Sequence, residues 1–563
     1  MAEPTKVVIV GAGWNGLMVA KTYLKINPAI SLTILEAERT LGGTWSGDRV
    51  YPEFHTQVPY GRYESCDFPM TRPPAAPRAG GDFIPSLRVH EYLVEFAQRF
   101  NIADKITYNT SVEHIQRHED GKGWKLDIRR ENGEREVIIC DKLVVATGVH
   151  SLPNVPDIPT STEEPFVPLS FHSRYVGRHY DDIRSPSVNV VTIYGGGKSA
   201  YDAAQVALNA GKHVHWVIRT SGSGAGALAL PEINGKPATD MLFTPAMEFN
   251  NPHPMRNTWW DWFFHSGGSR IGYWLHWAVA GLASRMMLSK WRYDEGVMKN
   301  LKPPFVDRIY FWHNSSVLAL PGPELIDKVR NEDGITIHRA DITRLSGRTI
   351  HLANGTTLET DILIYATGYN IHHTTFSERD SWELGLPVRI DRIPVIAPGT
   401  SWPTESMERA DQEVLQRFPR LRNPPVKSKK PTWTQYRMYR YILPFELLRR
   451  RDRSLAFVGY MGGGTIIGAD VSALWAVAWM EGKLEITRDF EEMIKESEVL
   501  NAFLKRRYIN ASQEAPYLPF DGTVIIREMM KELDVPHPNL GAWTPHFPSA
   551  YRGIVETWLA KHT

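Results

Sequence analysis

The sequence predicts an α/β fold in which one β-α-β unit occurs twice, and three observations point to it. The apolar run Val7-Val8-Ile9-Val10 leads into a glycine-rich turn, Gly11-Ala12-Gly13-Trp14-Asn15-Gly16. A second run, Val190-Val191-Thr192-Ile193-Tyr194, leads into Gly195-Gly196-Gly197-Lys198-Ser199-Ala200. Each turn is followed by a further apolar run. The first ends in Glu36, twenty-five residues after Gly11, and the second in Arg219, twenty-four residues after Gly195. Strand, glycine turn, helix and strand in this order make a Rossmann-like dinucleotide-binding domain, so two such domains are expected.

The elements follow in chain order. Residues 6–10 read as a strand, 14 to 26 as a helix and 31–35 as the next strand. Gly11 permits the tight turn, Gly13 lets the backbone approach a pyrophosphate, and Gly16 lets helix and strand pack closely. The helix start then presents free N–H groups to phosphate. Leu41-Gly42-Gly43-Thr44-Trp45 comes next; its paired glycines fit either a close approach to a cofactor or a plain turn. Residues 50 to 82, rich in Pro, Gly and Tyr, read as a long ordered loop. A helix is expected near 87–100, with Leu87, Tyr92, Leu93, Phe96 and Phe100 on one face. Strands occupy 106–140, and Leu143-Val144-Val145-Ala146-Thr147-Gly148 is a buried strand with a turn. Pro153, Pro156 and Pro159 mark a linker. The second unit starts near 188 and closes at Asp361-Ile362-Leu363-Ile364-Tyr365-Ala366-Thr367-Gly368, which repeats Ala-Thr-Gly.

The charges at the two strand ends separate the ligands. A carboxylate such as Glu36 accepts hydrogen bonds from a ribose diol, which reads as FAD. A guanidinium such as Arg219, with Lys198 nearby, suits a 2′-phosphate, which reads as NADPH. Surface salt bridging is the alternative for both basic residues. Ala200 stands where the third glycine of the second fingerprint would be, as the pattern allows, and Asp202 lies inside the following helix. The simplest arrangement nests one domain in the other. Residues 1–164 form the first part of the FAD domain and 165–365 an NADPH domain carrying an insertion at about 222–320. Residues 366–563 return to the FAD domain with a C-terminal helical segment. Such a chain is built to pass a hydride from nicotinamide to flavin.

The insertion holds seven of the chain's eighteen tryptophans. Within 271–288, Ile271, Trp274, Leu275, Ala278, Val279, Leu282 and Met286 recur at helical spacing. Three readings stand side by side: a helix packed on the core, a substrate lid, or a membrane-surface helix with His276, Arg285 and Lys290 on its polar face. Arg422 to Pro431 reads as a solvated loop.

Composition narrows the class. With 64 basic against 63 acidic residues, no broad cationic face for nucleic acid is expected. Two cysteines, Cys66 and Cys140, provide no redox Cys-x-x-Cys, zinc site or disulfide framework, so disulfide reduction is set aside and no metal is expected. The first strand begins near Lys6, which leaves no room for a leader, and no run of 18 uncharged apolar residues occurs. The expectation is a cytoplasmic protein with no transmembrane span and at most peripheral membrane contact. Its oligomeric state is left open.

Taken together, the motifs resemble those of class B flavin-dependent monooxygenases, and within them the fungal flavin-containing monooxygenases of secondary metabolism. The resemblance runs through Val8-Ile9-Val10-Gly11-Ala12-Gly13-Trp14-Asn15-Gly16-Leu17, Gly42-Gly43-Thr44-Trp45, and Tyr51-Pro52 leading to Thr56-Gln57. It continues through Gly61-Arg62-Tyr63-Glu64, Asp67-Phe68-Pro69-Met70, Val145-Ala146-Thr147-Gly148 and His172-Ser173-Arg174. Gly195 to Asp202, Ala366-Thr367-Gly368-Tyr369 and Leu455-Ala456-Phe457-Val458-Gly459 complete it. It is weak across 222–320 and 380–450. The family signature Phe-x-Gly-x-x-x-His is matched at Phe166 and His172, but Pro168 replaces its glycine and Val176 its closing aromatic, with Tyr175 one residue early. Gln57 stands where the family often has Asn.

The resemblance implies that NADPH reduces FAD and that the reduced flavin takes up O2 as a C4a-(hydro)peroxide. A small organic substrate is then oxygenated at a heteroatom or activated carbon. Gln57, His172 and Ser173 become the candidate catalytic residues. Gly11, Gly13, Trp14, Asn15, Gly16, Glu36, Gly43, Thr44, Trp45, Thr56, Gln57, Ala146, Thr147 and Gly148 would hold FAD. Gly195, Gly197, Lys198, Ser199, Ala200, Arg219, Thr367 and Gly368 would serve NADPH and the closing turn. The residues themselves also allow a packed or capping role for His172 and a loop-stabilising role for Gln57. Baeyer–Villiger oxygenation of a ketone, oxidase or desaturase chemistry without oxygen insertion, and a flavin-bound scaffold without turnover are the competing functions.

Overall fold

The computed structural model describes residues 3–73, 83–230, 232–233, 235–305, 307–309, 311–312, 317–320, 322–372, 374–462 and 466–562. Two five-stranded parallel sheets carry the fold. The first has the order Leu455–Phe457, Lys142–Val145, Lys6–Val10, Ser31–Leu35, Ile106–Thr107. The second has the order Leu169–His172, Ile362–Tyr365, Val190–Tyr194, His213–Ile218, Ile335–Arg339. Helices cover both faces of such sheets, so their strands are continuous β-branched runs. Val7, Ile9, Val144, Val191 and Ile193 are accordingly all buried. Both β-α-β units lie where the sequence predicts them, with helices Trp14–Ile26 and Lys198–Asn209.

The repeated Ala-Thr-Gly has a steric origin. Gly11 has a φ of +103°, and a Cβ on it would lie 2.9 Å from the carbonyl oxygen of Ala146. In the second unit a Cβ on Gly195 would lie 2.1 Å from the carbonyl oxygen of Ala366. Each alanine thus ends the neighbouring strand directly against the first glycine of a fingerprint. Ala146 N–H donates to the Val10 carbonyl at 2.9 Å, and Ala366 N–H to that of Tyr194 at 2.8 Å.

The chain crosses between sheets several times. Thr110–Arg117, Trp124–Arg130 and Arg135–Cys140 form an antiparallel sheet beside the first. The expected ordered loop contains a strand, His55–Pro59, paired antiparallel with Phe83–Pro85; its residues 74–82 lie outside those described. Helix Ser86–Arg99 buries Tyr92, Leu93 and Phe96, but Leu87 faces solvent, because its position falls outside the arc the core contacts. Helix Ile467–Met480 packs on Trp14–Ile26. Lys21 ties the two together, with Nζ 2.7 Å from Asp470 and 2.8 Å from Asp67.

The insertion corrects the idea of a helix packed on the core by its apolar stripe. Helix Arg270–Trp291 turns Gly272, His276, Ala280, Ser284, Met287 and Trp291 inward. The stripe faces out: Ile271 is 76% exposed and Trp274 69%, and Leu275, Val279, Leu282 and Met286 are exposed too. Polar groups can face inward here because each is satisfied. His276 Nε2 lies 2.9 Å from the Asn250 carbonyl, and Ser284 Oγ accepts the Ile309 N–H at 3.1 Å. His276 is therefore buried and not on a polar outer face.

Candidate active site

The first fingerprint is assembled from two turns laid back to back. Gly42 N–H donates to the Ala12 carbonyl at 2.9 Å. Gly43 has a φ of +61°, and a Cβ on it would lie 3.1 Å from the Cα of Gly13. Side chains at either position would push the turns apart. Glu36, 6% exposed, stands at the end of the neighbouring strand. Its Oε2 accepts the Ala12 N–H at 2.7 Å and its Oε1 the Glu38 N–H at 2.9 Å. Burial raises its pKa against the pull of these two donors. A carboxylate oxygen has more than one lone pair, so acceptor capacity remains for a ribose diol.

These groups line a cavity of about 900 Å³. Gly11, Gly13, Trp14 and Asn15 reach it from the first fingerprint, and Lys198 and Ser199 from the second. Gly43, Thr44, Trp45, Ala146, Thr147 and Gly148 complete the wall near the first. The donor set fits nucleotide cofactors. Trp14 Nε1, Ser173 Oγ and Thr375 Oγ1 are buried, belong to residues on this wall and have no hydrogen-bond partner in the protein. Buried polar atoms without partners are uncommon, and a ligand with acceptors and donors would satisfy them. Gly16 lies behind the wall, where a Cβ would come 1.9 Å from the Gly11 carbonyl oxygen, so its part is helix–strand packing.

Around the second fingerprint the residues divide. Lys198 is ion-paired with Asp202 one turn along its helix, and its ammonium also faces the His55 carbonyl. Burial raises the pKa of Asp202, opposed by Lys198. Gly195, Gly197, Thr367 and Gly368, in the turns after their strands, and Ala200, in helix Lys198–Asn209, are outside the cavity lining. Thr367 donates to the Asn154 carbonyl. Arg219, half-buried, follows strand His213–Ile218 and is also away from the cavity, over Gly222. Lys429 approaches the same corner and donates to the Ser221 carbonyl. Burial and the nearby Arg219 both lower its pKa.

The three candidate catalytic residues part company. His172 is 2% exposed and both ring nitrogens are engaged. Nδ1 accepts the Arg174 N–H at 3.1 Å, which leaves the proton on Nε2 to donate to the Gly368 carbonyl at 2.8 Å. Burial holds its pKa below the usual histidine range. His172 caps the short turn Ser173–Tyr175 and ties it to the closing turn at Gly368, and it does not line the cavity. Ser173, its neighbour, does. Gln57 also lines it, with Oε1 accepting the Ala319 N–H at 3.1 Å, which leaves its amide N–H groups as donors. Thr56 lines it too, but its hydroxyl donates to the Val58 carbonyl at 2.7 Å and accepts the Ile84 N–H at 2.9 Å.

Two features are absent from the sequence reading. Arg49 and Arg174 bring guanidinium groups to the cavity wall, and both pair with Glu38, as does Arg178. Burial pushes the Glu38 carboxyl up, but Arg49 and Arg174 outweigh it and hold the pKa below the usual value. The other is a hydrogen bond of 2.6 Å between Thr147 and Tyr460 hydroxyls, which joins the first-sheet turn to the C-terminal part of the chain. Arg174 sits inside a motif visible in the sequence, but its ion-pair partner Glu38 lies 136 residues away.

Two parallel-stranded nucleotide folds meeting at one cavity define a two-dinucleotide oxidoreductase. The pyridine nucleotide-disulphide oxidoreductase family matches residues 8–240. An FAD-dependent monooxygenase of Aspergillus nomiae is 32% identical over 99% of this chain and 98% of its own. Another from Alternaria brassicicola is 32% identical over 100% and 93% respectively. The chain belongs to this family of fungal FAD-dependent monooxygenases. Among solved structures, OTEMO in complex with FAD and NADP shares the fold at a TM-score of 0.59 and 15% identity, over 94% of this chain and 98% of its own. The polycyclic ketone monooxygenase of Thermothelomyces thermophila does so at 0.58 and 13%, over 94% and 88%.

Proposed function

We propose that this chain uses NADPH and FAD to insert one atom of O2 into a small organic substrate, at a heteroatom or an activated carbon. The carrying observation is that residues of both fingerprints open into one cavity. When bound, FAD supplies the O2 chemistry and NADPH the electrons. The protein's own groups do the rest. Glu36 accepts the ribose hydroxyls of FAD, while the N-terminus of helix Trp14–Ile26 faces its phosphates. Arg219, with Lys429 beside it, holds the 2′-phosphate that distinguishes NADPH. Trp45, stacked on Phe54 at 4.8 Å, and Tyr63 wall the cavity and exclude water from the reacting centre. Ser173 and the Gln57 amide offer hydrogen bonds to charge that develops there.

Product analysis under isotopically labelled O2 tests the proposal. One labelled oxygen per product, formed with NADPH consumption, is expected. Hydrogen peroxide alone, or product without label, overturns it. The fold shared with a polycyclic ketone monooxygenase favours a second reading, Baeyer–Villiger oxygenation. Conversion of a ketone into a labelled ester selects it.

A further inference from the structure

Helix Arg270–Trp291 is amphipathic in the inverted sense. Its buried side carries His276 and Ser284, and its solvent side carries Ile271, Trp274, Leu275, Val279, Leu282 and Met286. These positions fall on one face of less than half the helix circumference. The short helix Trp259–Phe264 packs on it, with the Phe263 ring lodged against Gly272. That helix adds Trp259, Trp260 and Trp262, all exposed. Scattered apolar residues are ordinary at a protein surface, but a contiguous apolar face of this kind marks an interaction site.

The charges say what covers it. From Trp262 to Tyr293 the sequence contains no Asp or Glu. Its exposed charged residues are Arg270 and Lys290 at the two ends of the long helix, Arg285 on the apolar face and Arg292 just beyond. The next two carboxylates, Asp294 and Glu295, are paired with Lys302 and Arg292. Asp307, beside the helix, is likewise paired with Arg308. Apolar side chains, several of them Trp, on two helices whose own exposed charges are all cationic complement an anionic lipid surface. Tryptophan favours the headgroup level, where its ring is half apolar and its N–H is wet. A two-fold pairing of identical copies through this face would instead bring the cations of one copy against those of the other. No helix among the described residues is long and apolar enough to cross a membrane, so the contact is in the plane of the surface.

We propose that the outward face of helix Arg270–Trp291, with Trp259, Trp260 and Trp262 beside it, docks the enzyme on an anionic bilayer. Co-sedimentation of the FAD-loaded full chain with vesicles tests this. Phosphatidylcholine vesicles containing phosphatidylserine should retain it at least about tenfold better than phosphatidylcholine alone, and added salt should reduce the difference. The double variant Ile271→Glu/Leu282→Glu should lose binding while keeping its flavin content. Arg285→Gln, which leaves the apolar face intact, should weaken binding to the anionic vesicles by about fivefold without changing the neutral ones. Wild-type protein that stays in the supernatant with anionic vesicles overturns the proposal. So does a dimer in sedimentation velocity that the double variant lacks, since a second copy would then cover the face.

Discussion

Glu36 is held by two backbone N–H groups before any ligand arrives, so its carboxylate is already aimed when a ribose comes within reach. Preorganisation of this kind saves ordering entropy on binding. Glu36→Gln keeps the shape but gives up charge-assisted acceptance. A flavin titration should show FAD binding weakened by about tenfold to a hundredfold; unchanged affinity would remove Glu36 from the ribose site. Arg219 is argued the same way from the other fingerprint. Arg219→Ala should narrow the NADPH over NADH preference in kcat/KM by about tenfold, because a phosphate contact is lost and a ribose contact is not. An unaltered ratio would place the 2′-phosphate elsewhere.

At the scale of elements, buried charge and buried histidine set opposite requirements that act in the same pH direction. Lys21 joins helix Trp14–Ile26 to Asp470 of helix Ile467–Met480 and to Asp67 of the loop between sheets. Burial pushes the Asp67 carboxyl up, yet Lys21 outweighs it and leaves the pKa below normal. That contribution is whole above the unfolded value of about 3.9 and is lost as pH falls through the lower folded value. The inner side of helix Arg270–Trp291 responds earlier. Burial, helped by Arg420, pushes His276 down to about 3, and burial also lowers His253 and His265. Unfolded histidines take up protons below about pH 6.5 while these do not, so stability falls with pH from there. Each contributes a slope of up to about 1.4 kcal/mol per pH unit. Urea midpoints should therefore drop between pH 6.5 and 4.5, and His276→Gln should flatten the drop. A midpoint that stays level over this range would contradict it.

Across the whole molecule, the two sheets matter because their open ends meet at one cavity. A nicotinamide held on one sheet and a flavin on the other can then share a water-poor space. Anaerobic addition of NADPH to the yellow protein should bleach the flavin, with NADH doing so more slowly. A flavin that keeps its colour under excess NADPH would mean that the two sites do not communicate. The docking face belongs to this scale also. It lies on the insertion, and the vesicle experiment addresses it directly.

The sequence by itself determined the two β-α-β units, the charge at each strand end and the Ala-Thr-Gly repeat. All are local: a β-branched run, a glycine that must turn and a residue some two dozen positions on are read within one window. Gly11, Gly13 and Glu36 were legible for that reason. The tertiary structure alone decided what His172, Arg49, Arg174 and helix Arg270–Trp291 do. The sequence offers His172 as a catalytic candidate; only the fold places the Gly368 carbonyl, 196 residues on, where it accepts the Nε2–H. Arg49 and Arg174 gain meaning only once Glu38 lies between them. The periodic stripe of the insertion helix told which residues share a face. Which face turns inward depended on partners for His276 and Ser284 supplied by distant segments, and periodicity carries no information about those.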